Sequence, residues 1–459
     1  MLFHTWVFAV FFLIVYPVYL ATRGSRLRIP WLLFASYVFY GWWNPFYLLL
    51  IVASTSADYL AVLGMSRSRR KKPWVAFSVL VNLGMLGFFK YAGFVTQALN
   101  DLLQAIGIPY TVPVPDILLP VGISFFVFQS MTYTIDCYRG AMDREPCFLR
   151  YATYVSLFPQ LVAGPIERST NLLRQLRETP PITRHDVADG LSLFLVGLFK
   201  KRALADYLAM YVDPIYARPD QFGGLALLLA TVGFAWQIYF DFSGYTDMAR
   251  GLGRMMGLRL MLNFRNPYLA TGLGDFWRRW HISLSTWFKD YVYVPLGGNR
   301  KGPARTYVNM ALTMLISGLW HGANWTFAIW GALHAAGRVA TRRLEGTRFY
   351  AERIPTAVKR LLVFAFVAFA WVFFRARTVG DAWLIVRRIF GSAWADPGFP
   401  LVAGVLVVGV WVYQWLYESR WRGVLLGASS ARIALAVFMA LYIALCCGAG
   451  DKAFIYFQF

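Results

Sequence analysis

Residues 306–337 read TYVNMALTMLISGLWHGANWTFAIWGALHAAG, 32 positions between Arg305 and Arg338 without a lysine, arginine, aspartate or glutamate. One membrane crossing takes about 20 apolar residues, so the stretch is longer than a single span. It encloses His321, with Trp320 before it and Gly322, Asn324 and Trp325 after it. A titratable imidazole in so apolar a window is either a packed structural group or a chemical one. Outward from this stretch the chain keeps the same character. Its 459 residues are 58% hydrophobic, 18% aromatic and 15% charged, where a soluble chain carries about a quarter charged residues. Apolar segments near bilayer length recur throughout, which predicts an all-α polytopic membrane protein forming one integrated domain over 1–459.

The 45 basic residues outnumber the 23 acidic ones, for a net charge of +22. In a membrane protein this excess reads as lysine and arginine gathered in cytoplasmic loops, where they set orientation. Part of it can also receive lipid headgroups or an anionic ligand; nucleic acid is not the expected partner. Cys137, Cys147, Cys446 and Cys447 form neither a paired framework nor a metal-type spacing, and no metal or cofactor is expected.

Residues 1–22 have no basic residue ahead of their apolar run and are not a normal secretory signal. Arg23, Arg26 and Arg28 follow, which places the N-terminus outside and that loop in the cytoplasm. The cluster 67–72 is cytoplasmic as well, so a hairpin lies between, turning at Trp43-Asn44-Pro45 where proline cannot continue a helix. Segment 74–91 crosses outward and 117–135 returns. Residues 151–164 are too short to span and predict a re-entrant segment, which has to be enclosed by protein or line a water-filled cavity. NLLRQLRE at 171–178 reads as an amphipathic surface helix. Further spans are expected near 187–199, 222–240, within 306–337, 357–374, 401–417 and 431–449, about ten or eleven crossings in all. The aromatic tail 450–459 is expected outside.

Residues 275–300, DFWRRWHISLSTWFKDYVYVPLGGNR, differ in kind. Asp275, Arg278, Arg279, Lys289 and Asp290 make them too charged to span, while Trp277, Trp280, Trp287 and Phe288 supply an apolar side. At helical spacing His281 shares a face with Trp277 and Ser285. Gly297 and Gly298 read as a plain turn. Elsewhere polar groups sit at membrane depth: Gln129, Tyr133 and Asp136, Gln160 and Glu167, then Asp241, Ser243, Tyr245 and Asp247. Buried carboxylates are expensive there and usually face a partner or an aqueous cavity; a structural pair with arginine is favoured over catalysis for any one of them. His4 and His185 lack chemical context, and His334 falls on a different face from His321 if the helix is continuous. Burial favours a neutral imidazole, the form that takes a proton from an alcohol.

The motifs FWRRWHISLSTWFKDYVYVPLGGNR and LWHGANWTFAIWGALH, supported by PQLVAGPIER, YFDFSGYTDMARGLG and the terminal FIYFQF, resemble the membrane-bound O-acyltransferase family over about residues 118–459. Within it the likeness is to the bacterial branch that acetylates alginate or D-alanylates teichoic acid. The resemblance implies a ring of about ten or eleven tilted helices with re-entrant segments around a central funnel, in which 1–117 supply N-terminal helices and 118–449 the core. It implies His321 as general base where openings from the two sides meet, and His281 assisting by orienting the acceptor or protonating the leaving thiolate. Asn324 or a tryptophan N–H is the expected oxyanion donor, and Tyr456 in the tail the acyl relay. Arg278, Arg279 and Lys289 are expected against donor phosphates, with Trp320, Trp325, Asp241 and Ser285 as further substrate contacts. The implied donor is a cytoplasmic thioester, acetyl-CoA, acting as a substrate. The implied acceptor is an exported polysaccharide such as alginate, reached with a periplasmic esterase-like partner, from a bacterial inner membrane with both chain ends periplasmic. Two alternatives stand beside this: acyl transfer from a carrier protein to cell-wall polymers, and a transporter using His, Asp and Arg as an ion pathway. Transporters often show paired inverted repeats, and the sequence displays none.

Overall fold

The computed structural model describes residues 1–392, 395–448 and 454–455, the side chains of 424–426 excepted. Every secondary-structure element among them is helical, consistent with a chain that has to satisfy its backbone groups within itself in lipid. Among the described residues six helices are long and apolar enough to cross a membrane: Pro45–Arg67, Lys72–Ala105, Gly224–Met255, Thr356–Arg375, Leu401–Glu418 and Ser429–Cys446. The others are shorter or more polar, so length and apolarity alone do not mark them as spans. The chain groups into two compact units, Met1–Phe194 with Thr246–Met261, and Leu195–Tyr245 with Leu262–Phe459.

In the first unit, α1 (Trp6–Thr22) and α2 (Arg28–Gly41) precede the turn expected at residues 43–45, after which α3 runs over Leu48–Arg67. Asn44 accepts the Phe46 N–H at 3.0 Å there, and Pro45 opens a short 3₁₀ turn. Helix α4 (Lys72–Leu86) does not stop near residue 91. It continues through a π turn, Gly87–Tyr91, into α5 (Ala92–Ala105), because no proline interrupts it. Helix α6 (Ile123–Tyr138) begins later than the expected 117. Gly122 before it has φ 77°, and a Cβ there would come within 3.0 Å of the Leu161 carbonyl. The re-entrant reading of 151–164 finds a physical basis: α7 (Phe148–Ser156) ends in a non-helical stretch, and residues 151–167 are all buried in protein. Several of its polar groups bond locally. Gln129 and Gln160 both donate to the Tyr154 carbonyl, and Glu167 accepts the Met261 N–H at 2.5 Å. The amphipathic α8 (Ser169–Glu178) buries Leu172, Leu173 and Leu176 against α6 and α7 and leaves Arg174, Arg177 and Glu178 exposed on its other face, so its apolar side meets protein. The unit continues into α9 (Arg184–Phe199).

The second unit contains α10 (Asp206–Ala217), entered through a π turn at Lys200–Ala205, and much of α11 (Gly224–Met255). Two short helices follow, α12 (Leu273–Arg279) and α13 (Ile282–Phe288). Helices α14 (Gly302–His321) and α15 (Trp325–Glu345) then form an antiparallel hairpin, flanked by α16 (Thr356–Arg375). The hairpin's backbones touch because two facing positions lack side chains. A Cβ on Gly318 would overlap the Phe327 carbonyl oxygen, and one on Gly331 would lie 2.7 Å from that of Met314. Small residues at helix contacts are the usual route to close packing in membranes. Gly331→Leu is therefore expected to destabilise the protein by about 1–3 kcal/mol or more through overpacking, read as a lower unfolding temperature in detergent; an unchanged melt would show that the hairpin tolerates separation.

Candidate active site

His321 is the last residue of α14, and the chain turns back at once. Gly322 is extended, and Asn324 caps α15 by accepting the Thr326 N–H at 3.1 Å. Residues 306–337 are thus a broken hairpin and not one continuous helix, which corrects the placement of His334. The Trp330 ring makes edge contacts with both imidazoles, its centroid 5.2 Å from that of His321 and 4.7 Å from that of His334. The Phe374 ring, 5.3 Å away, and Trp320, 4.9 Å away, complete the aromatic surround of His321.

His281 arrives from a different direction. Its φ of 42° lies in the left-handed region, where histidine is tolerated better than most residues but still under strain. That conformation breaks the expected single helix into α12 and α13, so Trp277, His281 and Ser285 do not share one helix face. Asn263 holds the break. Its carbonyl accepts the Ile282 N–H at 2.9 Å, and its side-chain oxygen accepts the Ser283 N–H and hydroxyl at 3.2 and 2.7 Å. The result is a fully buried His281 ring 4.6 Å from Phe242 and 6.3 Å from Trp320. Trp320 lies against both catalytic candidates, and the order His281, Trp320, His321, Trp330, His334 forms a continuous alternation of imidazole and indole. Sequence reasoning missed Asn263, whose only sign is a polar residue ahead of the turn residues Asn266 and Pro267. Asn263→Ala is expected to relax the kink and cost about 1–3 kcal/mol, as buried donors lose their acceptor, with donor turnover falling in parallel; retained turnover would show that the kink is held without it.

Beside this cluster lies a cavity of about 270 Å³. Met310, Thr313, Met314 and Ser317 line it from one face of α14, and the same helical spacing brings His321 next on that face. The cavity ends at Ser317, one turn before the imidazole. Across from α14 stand Trp277, Leu284, Ser285, Phe288 and Tyr293, and three cations, Lys289, Arg338 and Arg342, complete the lining. Arg338 is braced by Glu345 at 3.2 Å.

Several expected substrate contacts do other work. Arg279 is held between Asp275 at 3.0 Å and Glu418 at 2.7 Å. Arg278 is 73% exposed in its side chain and, among the described residues, pairs only with Asp275, at 3.6 Å. Neither lines the cavity; Lys289 and Ser285 do. Trp325 is 58% exposed at the start of α15, whereas Trp320 is buried against the histidines. The Asn324 amide donates to the Arg377 carbonyl at 2.9 Å, so both ends of its side chain serve the turn. Asp241 is paired at 2.7 Å with Lys201, which also meets Asp206 at 3.0 Å. Asp241 thus sits in a buried ion pair whose cation is a lysine where an arginine was expected. The other Asp241 oxygen accepts the Ile455 N–H at 2.6 Å, and Phe454 packs against Phe242 and Tyr245. Phe454 and Ile455 are therefore anchored beside Phe242, the residue in contact with His281. Tyr456 lies outside the described residues.

The model of the MBOAT, membrane-bound O-acyltransferase family, matches residues 139–375. The chain is 42% identical over 389 residues to a protein of Pseudomonas aeruginosa named "Probable alginate O-acetylase AlgI", covering 83% of this chain and 74% of that one. It is 35% identical to the "Peptidoglycan O-acetyltransferase" of Helicobacter pylori, over 79% of this chain and 73% of that one. It is 26% identical to the "Teichoic acid D-alanyltransferase" of Bacillus subtilis, over 56% of this chain and 69% of that one.

Proposed function

The chain belongs to the membrane-bound O-acyltransferase family, and within that activity we propose that it moves an acetyl group from acetyl-CoA, presented on the cytoplasmic side of a bacterial inner membrane, toward an exported polysaccharide such as alginate. The observation that carries this reading is the meeting of His281 and His321 across Trp320, next to a cavity with three cations. Lys289, Arg338 and Arg342 receive the donor's phosphates, and the apolar face of α14 guides the thioester past Ser317 toward His321. The relatives named for O-acetylation of alginate and peptidoglycan favour an acetyl group over D-alanine.

In this mechanism the neutral His321 ring takes the proton of the acceptor hydroxyl as its oxygen attacks the thioester carbonyl. The C–O bond forms, negative charge develops on the carbonyl oxygen, and the C–S bond then breaks. The proton on His321 passes to the departing thiolate, leaving an ester and free CoA. The Trp330 indole N–H, buried and without a hydrogen-bond partner among the described residues, is the better placed oxyanion donor now that Asn324 is committed to the turn. Fixed donors of this kind are worth about 3–4 kcal/mol in the transition state. His281 assists from the other side of Trp320 by orienting the acceptor. Tyr456 is the proposed first acceptor, handing the acetyl group to a periplasmic partner with both chain ends on that side, and the anchoring of Phe454 and Ile455 supports it.

Purified protein in detergent with labelled acetyl-CoA tests the reading. Release of CoA together with a label on the protein, located by intact-mass and peptide analysis, is expected. Solute flux across proteoliposomes without donor turnover would instead favour a transporter.

A further inference from the structure

The first unit contains a second basic cavity, of about 450 Å³, lined by none of the residues discussed above as the site. Arg23, Arg26, Arg28 and Arg150 all contribute to it, and none of its lining residues is acidic. Arg28 is buried, with a guanidinium N–H given to the Leu176 carbonyl. Arg150 is braced at 2.6 Å by the buried Glu145, which lies outside the lining and is shared with Arg177 at 2.8 Å. Arg23 and Arg26 form no ion pair among the described residues. The cations of Arg150 and Arg23 both act against that of Arg28, so the cluster repels itself when empty and an anion relieves that repulsion.

Thr179 in its wall, with a φ of 55°, closes α8 as a left-handed C-cap before Pro180. One further feature points to what fills it. Next to the arginines, Leu27, Phe148 and Leu149 are exposed, an apolar rim beside a cationic hollow. Guanidinium groups match phosphate oxygens in pairs of parallel hydrogen bonds.

We propose that this cavity is a binding site for the phosphate of an anionic phospholipid, whose acyl chains lie along the apolar rim while the arginine cluster holds the headgroup. The test uses the full-length protein, stripped of lipid in neutral detergent, with native mass spectrometry and thermal shift against three probes: phosphatidylglycerol, phosphatidylcholine and glycerol 3-phosphate. Phosphatidylglycerol is expected to bind and stabilise, and phosphatidylcholine not to. Arg23→Gln/Arg26→Gln should weaken that binding by roughly thirty-fold, and the exposed Arg26→Gln alone by roughly five-fold, from the usual contribution of a surface arginine to anionic lipid. Equal binding of the two lipids, or binding unchanged in both variants, would overturn the site. Glycerol 3-phosphate binding as tightly as phosphatidylglycerol, and lost in the variants, would overturn the lipid as occupant and assign a soluble phosphate.

Discussion

His321→Ala is expected to lower CoA release from acetyl-CoA by about 10²–10⁴-fold, the usual contribution of a positioned general base, in a protein that still folds. The expectation rests on the imidazole's place at the end of α14, on the face that carries the cavity. The effect should fall on kcat, with KM for the donor little changed, because Lys289, Arg338 and Arg342 are untouched. A variant that keeps turnover within a few-fold of the parent would remove His321 from the mechanism. His281 needs a different substitution. Its φ of 42° is a conformation that asparagine adopts more readily than alanine, so His281→Asn removes the imidazole with less backbone strain. A smaller loss than at His321, separable from any change in unfolding temperature, is the result expected of an assisting residue.

The other large effect is expected at Lys201→Met. Lys201 is 3% exposed and meets two carboxylates, Asp241 and Asp206. Removing the cation leaves buried negative charges facing each other, and breaking such a pair from one side costs about 3–5 kcal/mol, a large part of a typical total stability of about 5–15 kcal/mol. Asp241→Asn should be milder, because the amide oxygen can still accept the Ile455 N–H and Lys201 keeps Asp206. Thermal unfolding in detergent measures the order, and equal melts for the two variants would mean that the ion pair contributes little. Asp241 also holds the Ile455 N–H, so Lys201→Met should make cleavage at Phe454 and Ile455 by added protease easier.

Local chemistry accounts for what the sequence disclosed. The absence of charge over residues 306–337, the proline after Trp43 and Asn44, and the two histidine motifs each carry their meaning within a few neighbouring residues. What escaped depends on distant partners. The companionship of His334 with His321 follows from a helix break at Gly322, which an apolar run does not announce. The kink at His281 is set by Asn263, on the far side of a turn, and Asp241 finds its cation in a π turn some forty residues earlier. In the sequence Arg338 only brackets the uncharged stretch, and the fold of α15 against α12 and α14 brings it and Arg342 into the cavity with Lys289. Arg278 and Arg279 carried the more conspicuous motif and turned out to serve Asp275 and Glu418.

The glycine contacts between α14 and α15 restrict how the imidazole can be reached. With Gly318 and Gly331 each pressed against an opposing main-chain carbonyl, the two helices move as one rigid plate, and breathing between them cannot admit an acyl chain. Any approach to the base therefore comes from outside the pair, where Phe374 stands against His321, Phe327, Trp330 and Trp371 at once.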